Sequence, residues 1–333
     1  MPLQETVAAS ALHAQTSVIG LETQRILVIE PTDSLDLEIW ALQNRKLVEQ
    51  RLAQYGAVLF RGWGIDSAEL LWKVSSALAV DLPAFSEESS PRHRLTENVF
   101  TSTDYRAEYP IQLHSEYSYA GEWPMKLIFG CLQPADRGGE TPIASTTAIL
   151  ARLSSATRAL FRERNIMYVR TYRTGVGVGW QDTFATNDRA VVETRCHERG
   201  IRLEWLADGA LRTRQVGAAI VHHPSTGVEV WFNHAFFFNV AAIEPLEMRQ
   251  FFLEEGEDTW STQTYFGDGT RIPDDVLEEL REAYKSEKVA CPWQRGDVFL
   301  LDNMLTAHGR EPFEGSRRIA VVMADKMRRA DLR

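Results

Sequence analysis

His114-Ser115-Glu116 is the stretch of this chain whose residue types and spacing most directly suggest chemistry. Side chains two residues apart project to the same side of an extended strand or its end, so an imidazole nitrogen and a carboxylate oxygen can aim at one point. Two metal ligands could come from this tripeptide, although His-x-Glu also arises by chance on surfaces. A third candidate ligand, His308, follows the strand-like run Val298 to Leu301 and the pair Asp302-Asn303. Two His and one carboxylate on one face of a metal leave open positions opposite, the layout with which non-haem Fe(II) takes up oxygen and a cosubstrate. Arg318 opens the apolar run Ile319 to Val322, where a guanidinium could hold a carboxylate bidentately. Consecutive strand residues face opposite ways, so only one of Arg317 and Arg318 can enter such a site.

These residues need elements to position them. Leu42, Leu47, Val48 and Leu52 recur at helical spacing between Leu37 and Tyr55, Gly56 stops the run, and Ala57 to Phe60 reads as a buried strand. A second helix is expected from Ser67 to Leu78, whereas Asp81 to Pro110 has little periodicity and is a candidate lid or pocket wall. Met125 to Cys131 reads as a strand, Gly138-Gly139 as a turn and Thr146 to Glu163 as one helix. Strands between Arg202 and Val240 are broken by a turn at Pro224 to Gly227. Helices near Pro245 to Glu255 and Pro273 to Tyr284 precede strands at Val298 to Leu301 and Arg318 to Met323. Residues 1–24 read as a flexible N-terminal arm and 25–333 as a single domain. Mostly antiparallel strands with peripheral helices point to an α+β fold with a barrel or sandwich core.

Composition narrows the function class. The 333 residues are 44% hydrophobic and 25% charged, as in an ordinary globular protein. Lys and Arg number 36 against 46 Asp and Glu, a net charge of -10 that argues against nucleic acid or an anionic membrane as partner. The expected partner is a small molecule or another protein. Cys131, Cys196 and Cys291 are odd in number and far apart, which suggests reduced thiols rather than a disulfide framework. The most apolar stretch, Ala235 to Ile243, is interrupted by Asn239 and too short to span a bilayer, so a soluble cytoplasmic protein is expected.

The order His114-x-Glu116, Gly138-Gly139-Glu140-Thr141-Pro142, Gly296-Asp297, Asp302-Asn303, His308 and Arg318 resembles the Fe(II)- and 2-oxoglutarate-dependent dioxygenases related to taurine dioxygenase and clavaminate synthase. The resemblance runs from about Ala57 to Met323. It implies a distorted double-stranded β-helix, or jelly roll, with peripheral helices and insertions. It also implies Fe(II), 2-oxoglutarate and O2 as the reactants that accompany the substrate, with His114, Glu116 and His308 as iron ligands. Arg318 and the Thr141 hydroxyl would then hold the distal carboxylate of 2-oxoglutarate. Glu116 fills the position that halogenating relatives give to a small residue, so hydroxylation or a related oxidation is implied instead.

A glutamate at that position, together with Ser90-Pro91-Arg92, Thr101 to Tyr105, Tyr117-Ser118-Tyr119 and Trp231-Phe232-Asn233, is similar to the syringomycin-type aspartate hydroxylases of nonribosomal-peptide pathways. The implied substrate is an amino acid or a derivative of one, free or on a peptidyl carrier protein, in antibiotic or other specialised biosynthesis. Epoxidation, desaturation and cyclisation are alternative outcomes of the same chemistry, and a non-catalytic small-carboxylate-binding relative is an alternative of another class. Taurine dioxygenase has a second Arg four positions beyond its 2-oxoglutarate Arg; counted from Arg318 that place holds Val322, which disfavours a sulfonate substrate. Arg92, Arg94, Asn98, Ser102 and Asn233 are the candidate substrate contacts, each with a solvated or structural role as the plain alternative. His222, His223 and His234 are read as structural or pocket-lining, and Phe236-Phe237-Phe238 as core packing.

Overall fold

The structure is a computed structural model that describes residues 13–83, 93–96, 99–102, 105–173 and 178–332. Its largest sheet has eight strands in the order Ala14–Gly20, Arg25–Pro31, Ala57–Phe60, Val298–Asp302, Glu122–Gln133, Arg318–Arg328, Val99–Thr101 and Arg94–Thr96. Neighbours pair antiparallel except Arg25–Pro31 with Ala57–Phe60. Both faces of this sheet are covered, which explains why its central strands are continuously apolar rather than alternating. Leu127, Phe129, Cys131, Ile319 and Val321 face one apolar cluster. Ile128, Leu132, Ala320 and Val322 face another, completed by the helices Leu37–Tyr55 and Ala68–Leu78.

On the inner side lies a three-stranded sheet, Ile111–His114, Thr306–Arg310 and Ile143–Ser145. A four-stranded sheet of Arg202–Trp205, Leu211–Gly217, Ile166–Tyr172 and Thr262–Phe266 extends the second layer. It shares a core with the helices Thr146–Arg152 and Asp274–Glu287. Gly56 ends the first helix in the left-handed region at φ 70°, donating to the Leu52 carbonyl, as a terminal glycine should. The turn at Pro224 to Gly227 joins Ile220–His222 to Glu229–Trp231 as expected.

Two expectations about elements need correction. Residues 14–24 are no loose arm: Ala14–Gly20 pairs with Arg25–Pro31 in unbroken register, and Val18 is buried. Thr146 to Glu163 is two helices, Thr146–Arg152 and Ser155–Arg164, because Leu153 turns extended and the Ser154 hydroxyl caps the second by accepting from the Thr157 amide. The three cysteines are free thiols. No helix of the described residues is long and apolar enough to cross a membrane.

Candidate metal and cosubstrate site

His114 is the last residue of its strand, and Glu116 lies just beyond it in a turn where Tyr117 has φ 55°. His308 sits in the middle of the neighbouring strand, opposite His114, rather than at the end of Val298–Asp302. The His114 and His308 Nε2 atoms each lie 3.8 Å from Glu116 Oε2. One ligand atom from each residue falls within 4.8 Å of the others, the spacing a single ion needs. His114 Nδ1 is 2.9 Å from the Gln112 carbonyl, which can only accept. The proton is therefore on Nδ1, and Nε2 presents its lone pair toward the other two ligands.

Asn303, fully buried, holds the Glu116 turn in place. Its Oδ1 accepts from the Glu116 amide at 2.7 Å, and its Nδ2 donates to the Glu116 and Pro124 carbonyls at 2.9 and 2.8 Å. Asn303→Ala should cost about 2–4 kcal/mol, because it strands buried backbone groups, and the urea unfolding midpoint should fall accordingly. Asp297 has a structural role: it pairs with Arg61 through both carboxylate oxygens and accepts from the Gln294 amide.

The arginine that enters the site is Arg317, a correction to the expected Arg318. Arg318 is exposed, whereas Arg317, the residue just before that strand, lines the cavity beside His114, Glu116 and His308 together with Val321. Arg317 Nε donates to the Gly139 carbonyl at 2.8 Å and Nη1 to the Ser102 hydroxyl at 3.2 Å. Gly139, at φ 73°, sits where a side chain would be strained and tightly packed: a Cβ there would lie 3.0 Å from Arg317 Cδ and from Phe313 Cβ. Counted from Arg317, the place four residues on is Val321, so the absence of a second Arg there stands. Burial, then the charge of Arg310, pushes the Arg317 pKa down to about 10. It remains cationic at neutral pH, and an anion entering the cavity would relieve that cost.

Thr141 is buried in the same cavity and accepts from Trp293 Nε1 at 3.2 Å, which leaves its own hydroxyl proton to be donated. Arg310, two residues beyond His308, donates to the carbonyls of Tyr105, Arg106 and Tyr109 at 2.6–2.7 Å and so ties the 105–109 stretch to the wall of the site. Arg310→Gln should accelerate amide hydrogen exchange in 105–109 by about tenfold or more, measured by mass spectrometry.

Ser102 lies in the cavity beside Arg317. Asn233 is a structural hydrogen-bonder instead: its Nδ2 donates to the Ala219 carbonyl and its Oδ1 accepts from the Ala235 amide, both at 2.8 Å. Arg94 is exposed and lies over the Phe100 ring. Arg92 and Asn98 fall outside the described residues. His223 is buried against Asp302 at 3.0 Å, away from the ligands. His234 packs near the ligands: its ring lies edge-on to His114 at 5.8 Å, and Nδ1 shares a 2.6 Å hydrogen bond with Ser118 Oγ. Phe237 departs from pure core packing, since its ring stacks on His114 with centroids 4.4 Å apart.

A family model for the taurine catabolism dioxygenase TauD, TfdA family matches residues 22–324. The chain belongs to that family. It is therefore a dioxygenase of the iron- and 2-oxoglutarate-dependent kind, and the His-Glu-His cluster suits the iron. The dapdiamide synthesis protein DdaC of Enterobacter agglomerans is 37% identical over 279 residues, 84% of each chain. A clavaminate synthase-like protein of Arabidopsis thaliana is 32% identical over 300 residues, 87% of this chain and 88% of that one. Among solved structures, PvcB, an Fe, alpha-ketoglutarate dependent oxygenase from an isonitrile synthetic pathway, aligns over 97% of both chains with a TM-score of 0.60 at 16% identity, a likeness of fold.

Proposed function

We propose that this TauD/TfdA family dioxygenase hydroxylates a C–H bond of an amino acid or amino-acid-derived small molecule in a biosynthetic pathway. The observation that carries the reading is one cavity holding His114, Glu116, His308 and Arg317 together. The likeness to DdaC, whose name places it in dapdiamide synthesis, supports a biosynthetic substrate. Two facing sheet layers around this cavity are read as the distorted double-stranded β-helix that the resemblance implied.

Iron and 2-oxoglutarate, when bound, would supply with O2 the oxidising power for an unactivated C–H bond, one oxygen atom ending in the succinate formed as 2-oxoglutarate loses CO2 and the other in the substrate's new hydroxyl. The chain's own residues bind and orient. His114, Glu116 and His308 are assigned as the ligands, with the Gln112 carbonyl and Asn303 fixing the aim of the first two. Arg317 is assigned to the distal carboxylate of 2-oxoglutarate, with Thr141 donating to the same group. Phe129 against His308 and Phe237 against His114 keep water from the ligand cluster.

The direct test is an anaerobic titration of the metal-free protein with Fe(II) and 2-oxoglutarate. A weak visible charge-transfer band that requires both is expected, followed by succinate release in air. A folded protein that binds Fe(II) and 2-oxoglutarate without such a band would sink the assignment.

A further inference from the structure

We propose that a second cavity, separate from the iron centre, is a binding site for a small monocarboxylate, which Arg329 receives. The cavity has a volume of about 430 Å³, within the range of small-molecule sites, and is lined from residues 117–122, from Gln215 and Val216, and from residues 328–330. Arg329 follows directly on the strand Arg318–Arg328, and its amide donates to the Gly121 carbonyl at 2.8 Å. Its Cζ lies 5.4 Å from the centroid of the buried Trp123 ring, and Nη2 donates to the Ser118 carbonyl at 2.6 Å. No other hydrogen bond of this guanidinium is formed among the described residues, so the rest of its N–H donors are left for a ligand. The ring and the carbonyl hold the guanidinium in place without using up its fork, the arrangement that receives a carboxylate bidentately.

The charge of Arg329 is likewise uncompensated. The side chain is half-buried and forms no ion pair among the described residues; Glu122, which lines the same cavity, is taken by Lys326 and Arg328, each at 3.3 Å. Burial pulls the Arg329 pKa below the usual guanidinium value, and what opposes that shift is the Tyr168 phenol rather than a carboxylate. A partly buried cation ordinarily has an anionic partner, because its lost hydration is otherwise not offset. Arg317 is the comparable case: burial lowers its pKa too, it forms no ion pair among the described residues, and the proposed function gives its anion as 2-oxoglutarate. Arg329 has a cavity of its own and no anion yet assigned to it.

The lining sets the class of ligand. Arg199, Arg328 and Arg329 line the cavity with Glu122 and Glu198, three cations against two carboxylates and so an excess of one positive charge. That balance suits a singly charged carboxylate, whereas a dianion such as inorganic phosphate would bring a surplus charge beside two glutamates. Ala120 and Val216 supply apolar wall, so the carboxylate can carry a short hydrocarbon body. The cavity that holds His114, Glu116, His308 and Arg317 shares no lining residue with this one among the described residues. Ser118 links the two regions, with its carbonyl on Arg329 and its hydroxyl on His234, whose ring is edge-on to His114. Binding at Arg329 requires neither Fe(II) nor 2-oxoglutarate, so it stands or falls apart from the function proposed above.

The test is saturation-transfer NMR on the metal-free protein, with butyrate as the probe and butyramide as its neutral counterpart. Butyrate should bind in the millimolar range, and butyramide should give no transfer. Arg329→Gln should weaken butyrate binding by about tenfold or more, since a neutral amide lacks the charged fork. Ala330→Glu, at an exposed residue of the same cavity, leaves the Arg329 contact with Ser118 in place and should weaken butyrate to a similar degree by supplying a competing carboxylate. Arg317→Ala removes the cation of the iron-site cavity and should leave this binding within about twofold of wild type. Thermal unfolding checks each variant, and if Arg329→Gln does not fold, Ala330→Glu decides. Equal transfer to butyramide, butyrate binding that survives Ala330→Glu or a folded Arg329→Gln, loss of binding in Arg317→Ala, displacement of butyrate by an equal concentration of phosphate, or no butyrate binding at all would overturn the proposal.

Discussion

Arg317→Ala is expected to weaken 2-oxoglutarate binding by about 100-fold, while Arg318→Ala leaves it within about twofold of wild type. The contrast follows from where each side chain lies. Arg317 is held in the cavity by the Gly139 carbonyl and the Ser102 hydroxyl, beside the ligand cluster, whereas Arg318 is exposed. A buried carboxylate whose cation is removed keeps its desolvation cost and loses its compensation, which is why the loss exceeds that of a surface ion pair. Arg317→Lys should recover part of the affinity but not all, since a lysine lacks the planar fork. Arg317 also titrates in a testable direction. Its pKa is lowered to about 10, so the cation needed for binding is present below that pH and lost above it. Bound 2-oxoglutarate favours the charged form, so the affinity should decline only in strongly alkaline buffer. Isothermal titration with the Fe(II)-loaded proteins, anaerobically, checks each of these. Equal losses in the two alanine variants would return Arg318 to the site.

The same pair shows where sequence reasoning stops. Alternation alone said that only one of Arg317 and Arg318 could enter, but it could not say which. The run Ile319 to Val322 is apolar on both faces because helices cover one side of the sheet and the cavity layer the other, so no polar residue marks the inward row. The resemblance then pointed one residue too far along. The His-x-Glu motif was legible because its spacing itself encodes convergence, and the structure sets the third candidate, His308, opposite His114 on a neighbouring strand. Asn303 and Gly139 stood within recognisable motifs, yet their jobs depend on contacts made over 150 residues along the chain and more, which no local pattern reports. The strand Ala14–Gly20 has a similar origin: it is an edge strand with only Ala14 and Val18 buried, and its partner Arg25–Pro31 supplies most of the apolar surface.

His308→Ala should reduce succinate formation by at least about 1000-fold and strip most of the Fe(II) from the purified protein. Three ligand atoms within 4.8 Å form one face of an ion, and removing one leaves a His and a carboxylate that bind weakly and leave the ion's position undetermined. The loss should exceed the roughly 10- to 100-fold expected when only an outer hydrogen-bonding partner of a ligand is removed. That comparison can be made inside this protein, because Asn303 touches Glu116 through its backbone and not through its carboxylate. Asn303→Ala should therefore lose stability first and retain measurable iron where it stays folded, whereas His308→Ala should lose iron first. His308 lies in the interior of a paired strand, where an alanine keeps the backbone bonds, so the fold should survive. Metal content, thermal unfolding and succinate release measured on the same preparations separate the two cases. A His308→Ala protein that keeps stoichiometric iron would mean that the metal is held elsewhere, and that the facing pair of His114 and His308 is packing rather than chemistry.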